Sequence, residues 1–421
     1  MKIAKCKSQN SPSAQFLHFS ICTLLFALRS ANKASSRFIL GAAFLLSVTG
    51  VLMVASPVGG LQQSPAPPSA PHHEPTGLVP HAIAVGDFNR DGVPDIAVPA
   101  AAERKVTVLL GDGKGGFAAN HAYATGMGPS WVEVGDWNGD GKLDLVTANT
   151  GGGSLTVYFG DGTGKFSGMQ EIPDIHGPAS VVAVDVNRDG RVNLAAVQAR
   201  ESRLVILGNS GGRFKLSSTY QVGRAPHIVT KTDLNRDGIP DLVVGTFARH
   251  MFSIFLGKGD GSFHPAREVQ VGRFPHYVAV GDWNQDGHQD LAVVCAGEDA
   301  IFILEGDGTG KLRKAGTLAT GANPHGLAAA DFNGDGLTDL VVSARSAGEL
   351  AVFLGDGKGG FTSLPVIKSD QDIIAMATAD FDRDGKTDLV LVSASHNSVV
   401  TLRGDGKGGF APFSVSSAAR K

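Results

Sequence analysis

Seven nine-residue stretches of this chain carry the side chains best suited to chemistry, and that chemistry is cation coordination. They begin at Asp87, Asp136, Asp185, Asp233, Asp282, Asp331 and Asp380, 48 or 49 residues apart, and follow the pattern Asp-x-Asn/Asp-x-Asp-Gly-x-x-Asp/Asn. Oxygen side chains at positions one, three, five and nine, with the backbone carbonyl of position seven, can surround a hard divalent ion. The glycine at position six allows the turn that aims them inward. Copy one offers Asp87, Asn89, Asp91, the Val93 carbonyl and Asp95; copy two offers Asp136, Asn138, Asp140, the Lys142 carbonyl and Asp144. Copy three has Asp185, Asn187, Asp189, the Arg191 carbonyl and Asn193, and copy four Asp233, Asn235, Asp237, the Ile239 carbonyl and Asp241. Copy five has Asp282, Asn284, Asp286, the His288 carbonyl and Asp290, and copy six Asp331, Asn333, Asp335, the Leu337 carbonyl and Asp339. Copy seven has Asp380, Asp382, Asp384, the Lys386 carbonyl and Asp388. The expected cofactor is calcium, up to seven ions in a structural role. Carboxylate count ranks copy three, with Asn193 at position nine, weakest and copy seven, with Asp382 at position three, strongest.

An EF-hand loop opens the same way but closes with Glu at position twelve between two helices. Position twelve here is Val98, Thr147, Ala196, Val244, Val293, Val342 or Leu391, inside apolar runs. The EF-hand reading fails.

A second recurrence suits ligand recognition. Pro80-His81, Pro226-His227, Pro275-His276 and Pro324-His325 each precede an acidic loop, while the other repeats read Pro129-Ser130, Pro178-Ala179 and Gln371-Asp372. Arg224 and Arg273 stand two residues before their prolines, and Trp131 lies close by in the second repeat. The candidate ligand contacts are therefore His81, Trp131, Arg224, His227, Arg273, His276 and His325, with Trp131 as an apolar platform. An imidazole of ordinary pKa, about 6.5, would make such a site differ between pH 5 and 7.5. The competing reading makes each Pro-His a turn cap bonded to a neighbouring backbone.

Each repeat holds four short apolar, β-branched runs bounded by Gly/Asp clusters. In the first they are 81–85, 95–99, 105–110 and 119–124. Four strands per unit in seven units predict an all-β, seven-bladed β-propeller with four antiparallel strands per blade and the acidic loop between strands one and two. The histidines then start each inner strand at the end opposite the acidic loops. There they would meet the strand-two-to-three connectors carrying Glu103, Arg104, Arg200, Glu201, Arg249, His250, Glu298, Asp299, Arg345 and Glu349. The Gly-Asp-Gly-x-Gly-x-Phe turns, as at 355–361 and 404–410, lack the helix and Lys-Ser/Thr pair of a phosphate loop and read as hairpin turns.

The acidic loop, the Asp-Leu-Val/Ile-Ala-Val strand after it and the Gly-Asp-Gly-x-Gly-x-Phe turn resemble FG-GAP repeats of the bacterial VCBS-associated type, and are similar to the repeats of integrin α-subunit propellers. The resemblance covers 77–416 and implies a calcium-stabilised propeller. It is weak on function, because such scaffolds host adhesins, lectins, assembly factors and some polysaccharide lyases.

The net charge of −3 conceals an uneven distribution: residues 1–60 hold six basic and no acidic side chains, and the loops hold 21 of the 40 acidic residues. No dense basic stripe points to nucleic acid. Residues 1–37 read as a basic leader and 38–56 as an apolar, charge-free signal peptide or signal anchor. Residues 57–76 read as a Pro-rich linker, 77–416 as the propeller and 417–421 as a tail. Localisation is expected to be exported: secreted, periplasmic or at the cell surface, with membrane anchoring through 38–56 as one form. Cys6 and Cys22 lie in the leader and Cys295 in a strand, so metal rather than cystine must staple the domain. The favoured function is a binding or adhesion module for glycan or protein, ahead of a uronate-directed polysaccharide lyase or an envelope scaffold.

Overall fold

The computed structural model describes residues 73–369 and 372–413. The leader, the apolar segment 38–56, most of the linker, Gln371 and the tail lie outside the described residues. The rest forms seven antiparallel sheets. Blade one is Ala84–Gly86, Asp95–Ala100, Lys105–Gly111 and Phe117–Ala124, paired in chain order, and the pattern recurs six times. The inner strand of each sheet contacts the inner strand of the next, and the last, Ile373–Ala379, contacts the first, so the sheets close into a ring.

Burial follows position. Every second strand is buried along its whole length, as in Asp95–Ala100 and Asp290–Cys295, because both of its faces meet neighbouring sheets. That is why these runs read as continuously apolar. The outermost strand Phe117–Ala124 alternates half-buried and exposed residues, as a strand with one wet face must. Seven apolar clusters, each spanning two adjacent blades, take the place of one central core. Cys295 lies fully buried in one of them, and burial pushes its thiol up to about 12.

Two features depart from the sequence reading. Glu74–Pro75, assigned to the linker, pairs with Ser398 and Val399 on the third strand of blade seven, a strand that also carries Phe410–Pro412. The outer edge of the last blade is thus shared by segments from both ends of the propeller. His73 joins it, with Nδ1 2.9 Å from Ser398 Oγ and its ring 4.5 Å from that of His396. The inner strands also start with a β-bulge. Register slips between Pro129 and Trp131, Pro178 and Ser180, Pro226 and Ile228, Pro275 and Val278, Pro324 and Leu327, and Ile373 and Ala375. In blade seven the place of the proline is taken by Ile373, not Gln371.

Candidate functional sites: the acidic loops and the opposite mouth

The acidic loops fold on their own carboxylates. Position four sits in the left-handed region in all seven: Arg90, Arg188, Arg236, Gln285 and Arg383 have φ between 56° and 61°, and Gly139 and Gly334 have φ of 79°. The chain doubles back there, and in copy one Asp87 accepts the N–H groups of Asp91 (3.1 Å) and Gly92 (2.9 Å), while Asp91 accepts that of Val93 (2.7 Å). Copy five repeats this with Asp282, Asp286, Gly287 and His288.

Position nine has a second task that sequence reasoning missed. Asp95 is fully buried; Oδ2 accepts the N–H of Phe88 and Oδ1 that of Gly111, both at 2.8 Å. Asp144, Asp241, Asp290, Asp339 and Asp388 do the same. The carboxylate therefore clips the acidic loop to the end of the third strand, leaving each oxygen a second lone pair. A glycine is required at the far end of the clip, since a Cβ on Gly111 would stand 2.4 Å from the Pro94 carbonyl oxygen. Copy three departs: Asn193 accepts only the Val186 N–H, at 3.2 Å, and Asn209 replaces the glycine.

These clusters are electrostatically unfinished. Burial pushes Asp95 up to about 6 against the pull of its two N–H donors, and the charges of Asp91 and Asp87 raise it further. Asp144, Asp241, Asp290 and Asp388 are likewise raised to about 6. In copy three Asp185 Oδ1 is buried with no hydrogen-bond partner. An all-oxygen donor set, mutually repelling carboxylates and an orphaned carboxylate oxygen all fit a hard divalent cation. In copy seven, Asp380, Asp382 and Asp384 bring oxygens within 4.8 Å of one another.

The loops are also where blades join. The carbonyl of position two accepts a backbone N–H from the Gly-rich turn of the next blade: Gly164 to Phe88, Gly261 to Val186, Gly310 to Leu234, Gly359 to Trp283, Gly408 to Phe332 and Gly115 to Phe381. In blade three the Asn209 side-chain amide donates to Trp137 O instead, at 2.7 Å. Beside these bonds the position-two side chain meets the turn aromatic edge-on, as Phe88 does Phe166 (5.4 Å) and Phe332 does Phe410 (5.3 Å). The Gly-rich turns are thus blade-to-blade clips as well as hairpin turns. Between the loops of blades four and five an open groove of about 490 Å³ is lined by Asp233, Arg236, Gly238, Gly287 and Gln289.

At the opposite end the bulge decides where the histidines point. His227 is the residue displaced between Pro226 and Ile228, and His276 and His325 occupy the equivalent bulges. A bulge re-aims a side chain that a regular strand would send to the sheet face. Their rings meet in sequence around the mouth: His227 lies 5.3 Å from His276, and His276 lies 4.3 Å from His325. Phe247 stacks on His227 at 4.3 Å and meets His276 at 4.7 Å. Deeper in, Tyr277 of blade five stacks on Trp131 of blade two at 6.1 Å, spanning the ring axis. Trp131 is therefore no rim platform. It helps fill the centre, and its indole N–H is buried without an acceptor.

Desolvation, with Arg345 or another imidazole adding to it, lowers the pKa of these histidines, of which His227, His276 and His325 are half-buried and His81 is exposed. His227 is lowered to about 4, His325 to about 3 and His276 well below its usual value; His81 is also lowered, by burial and by Arg345. A partly desolvated imidazole resists protonation, which works against the expected switch between pH 5 and 7.5. His325 Nδ1 stands 2.7 Å from Ile374 O of the next blade, the contact of a turn cap, while His276 Nδ1 is buried without a partner.

Much of the connector polarity serves the seams. Asn397 Oδ1 accepts the Val79 N–H (2.8 Å), Asp299 Oδ1 the Asn323 N–H (2.8 Å) and His250 Nδ1 the Phe274 N–H (3.3 Å), each bond crossing to the next blade. Arg345 pairs with Asp372, and Glu349 with Lys368. Arg273 lies 3.6 Å from Glu298, and Arg224 is exposed. Between Arg273 and its proline stands Phe274, which sequence reasoning did not select. It has φ 53° and remains 47% exposed, edge-on to His250 at 5.3 Å.

Comparison with known proteins places these features in a wider set. A model described as FG-GAP-like repeat matches residues 100–147, 136–196, 233–293, 282–342 and 332–391, and one described as FG-GAP repeat matches 79–118. Residues 197–232, left unmatched, contain the aberrant turn of blade three. No curated protein sequence matches the chain significantly. Among solved structures, BBS1N in complex with ARL6DN is similar at a TM-score of 0.58 and 13% identity, covering 83% of this chain and 97% of that one. A protein from Lactobacillus plantarum gives 0.57 and 14%, covering 79% and 94%. An Agrocybe aegerita lectin described as recognising non-reducing terminal N-acetylglucosamine gives 0.51 and 18%, covering 78% and 86%. At such identities the likeness concerns the fold.

Proposed function

The chain belongs to the FG-GAP repeat family, and we propose that it is an exported, calcium-stabilised propeller that binds a glycan or protein ligand at the mouth opposite its acidic loops. Calcium is the ion best suited to these donors, since it accepts many oxygens in flexible geometry whereas magnesium demands a smaller octahedron. Asp87, Asn89, Asp91, the Val93 carbonyl and Asp95, and their counterparts, would hold it. Its charge would relieve the repulsion among carboxylates that burial has already made costly. Export would supply the calcium-bearing compartment, and the basic leader with its apolar 38–56 segment supports that route.

The observation that carries the ligand reading is Phe274. The residue before the start of the inner strand has positive φ in every blade (Val79, Gly128, Gly177, Ala225, Phe274, Asn323 and Asp372), and blade five alone fills that place with an aromatic ring, one that stays 47% exposed. It meets Phe247 edge-on at 6.4 Å, the ring that in turn packs on His227 and His276, and it follows Arg273 in sequence, with Arg224 on the neighbouring blade. Such a rigid apolar surface edged by cations suits a sugar or an aromatic peptide side chain. The test is a glycan-array and peptide screen of the full chain in calcium, followed by Phe274→Ser and Arg224→Ser. Both variants should lose binding at unchanged melting temperature. Retained affinity in both would move the site elsewhere, and cleavage of a uronic-acid polysaccharide would replace this reading with a lyase.

A further inference from the structure

Loop seven differs from its six relatives by two linked residues. Its third position is Asp382 where the others have Asn. The residue just before its clipping glycine is Arg403, where blades one, four and six carry Leu110, Leu256 and Leu354, blade two Phe159, blade three Gly208 and blade five Glu305. The Arg403 side chain folds back over the loop. Nε lies 2.8 Å from Asp382 Oδ2 and Nη2 2.8 Å from Asp384 Oδ2, so one guanidinium bridges the two carboxylates. Lys386 Nζ approaches Asp384 at 3.4 Å. Position five is touched in two other loops, Asp140 by the Lys142 ammonium and Asp286 by the His288 ring, but among the described residues only loop seven has position three paired with a cation as well.

We propose that Arg403 is the resident counter-cation of the seventh loop, holding it closed without metal and making it the weakest calcium site of the seven. The inference rests on the calcium reading above. A planar guanidinium fork matches two carboxylate oxygens in a way an ammonium cannot. Because it is tethered, it competes at high effective concentration with an incoming ion for the converging Asp382 and Asp384 carboxylates. The ranking by carboxylate count is thereby inverted for copy seven: the additional acid is neutralised by an additional base. The location gives the device a purpose. Loop seven forms the seam where the ring closes, with Phe381 O accepting the Gly115 N–H at 3.1 Å and the Arg383 guanidinium reaching Asp91 O of the first loop. A protein-borne cation there keeps the ring shut when calcium falls.

The test uses Arg403→Leu, the residue found in three other blades, and Asp382→Asn, which restores the side chain of the other six loops. Calcium is titrated calorimetrically into the chelator-stripped full chain, and melts are recorded in calcium and in chelator. Wild type should show one site about tenfold or more weaker than the rest, and each variant should tighten that site by about tenfold. Arg403→Leu should also melt lower than wild type in chelator but equally in saturating calcium. Unchanged affinities together with an unchanged chelator melt would overturn the proposal. So would an equal loss of stability in both conditions, which would make Arg403 a packing residue. Absence of any calcium binding by wild type would instead remove the calcium reading itself.

Discussion

The backbone N–H of Gly115 donates to the carbonyl oxygen of Phe381 at 3.1 Å, joining the Gly-rich turn of the first blade to the acidic loop of the last. The same bond recurs at five other seams, with Asn209 substituting at the seventh. The loops that could hold cations are therefore the parts that join neighbouring blades, and loosening one loosens a seam.

Chelation should accordingly destabilise the whole propeller. A ligand that binds only the native state at a hundred times its Kd contributes about 2.7 kcal/mol per site, so stripping several sites should lower the melting temperature by on the order of 10 °C or more. Calcium should restore the melt better than magnesium. An unchanged melt after verified removal of calcium would exclude stapling.

Positions five and nine should behave differently. Asp290→Ala removes both acceptors of a buried clip and strands the Trp283 and Gly306 N–H groups, at about 1–3 kcal/mol each, so it should cost stability even in chelator, and more in calcium, where a proposed ligand is lost as well. Asp286→Ala, nearer the surface, should cost stability mainly in calcium. Denaturant unfolding of both variants in both conditions separates the two roles.

The clip also predicts intolerance at its glycine. A Cβ on Gly404 would stand 2.1 Å from the Thr387 carbonyl oxygen, and backbone cannot yield as a side chain can. Gly404→Ala should destabilise by about 2 kcal/mol or more, whereas Gly208→Ala, whose nearest neighbour lies at 3.7 Å, should change stability by less than about 1 kcal/mol. Urea midpoints at pH 7.5 give the comparison.

The half-buried imidazoles predict acid lability. Folded pKa values of about 4 for His227 and about 3 for His325 lie below the unfolded value, so below about pH 6.5 the unfolded chain takes up protons that the native state refuses. Their contribution to stability is complete above that pH and is lost as pH falls toward 4 and then 3, reaching a loss of about 3 kcal/mol for His227 alone. His227→Phe should flatten the pH dependence of the melt between 6.5 and 4. His227 or His325 imidazole resonances titrating near 6.5 in the folded protein would contradict the assignment.

The repeat, its strand order and the set of oxygen donors were legible in the sequence because they are local. A period of 48 or 49 residues, a glycine after each acidic triplet and β-branched runs declare themselves without any long-range contact. The mouth was only half legible. Sequence located His227, His276 and His325 at one end of the inner strands, but the bulges that turn their rings toward one another depend on pairing with the second strand. Their neutrality depends on desolvation by other blades. Phe274 was not selected because its exposure depends on how its blade packs against the next, which no local spacing reveals. Trp131 was misplaced because its partner, Tyr277, belongs to a blade across the ring. Likewise Asp382 alone argued for a tighter loop, until tertiary structure laid Arg403 across it. Sequence determined what each repeat is, because repeat identity resides in short-range spacing. Ring closure decided what the repeats do to one another, because burial, desolvation and charge pairing arise only when distant blades occupy the same space.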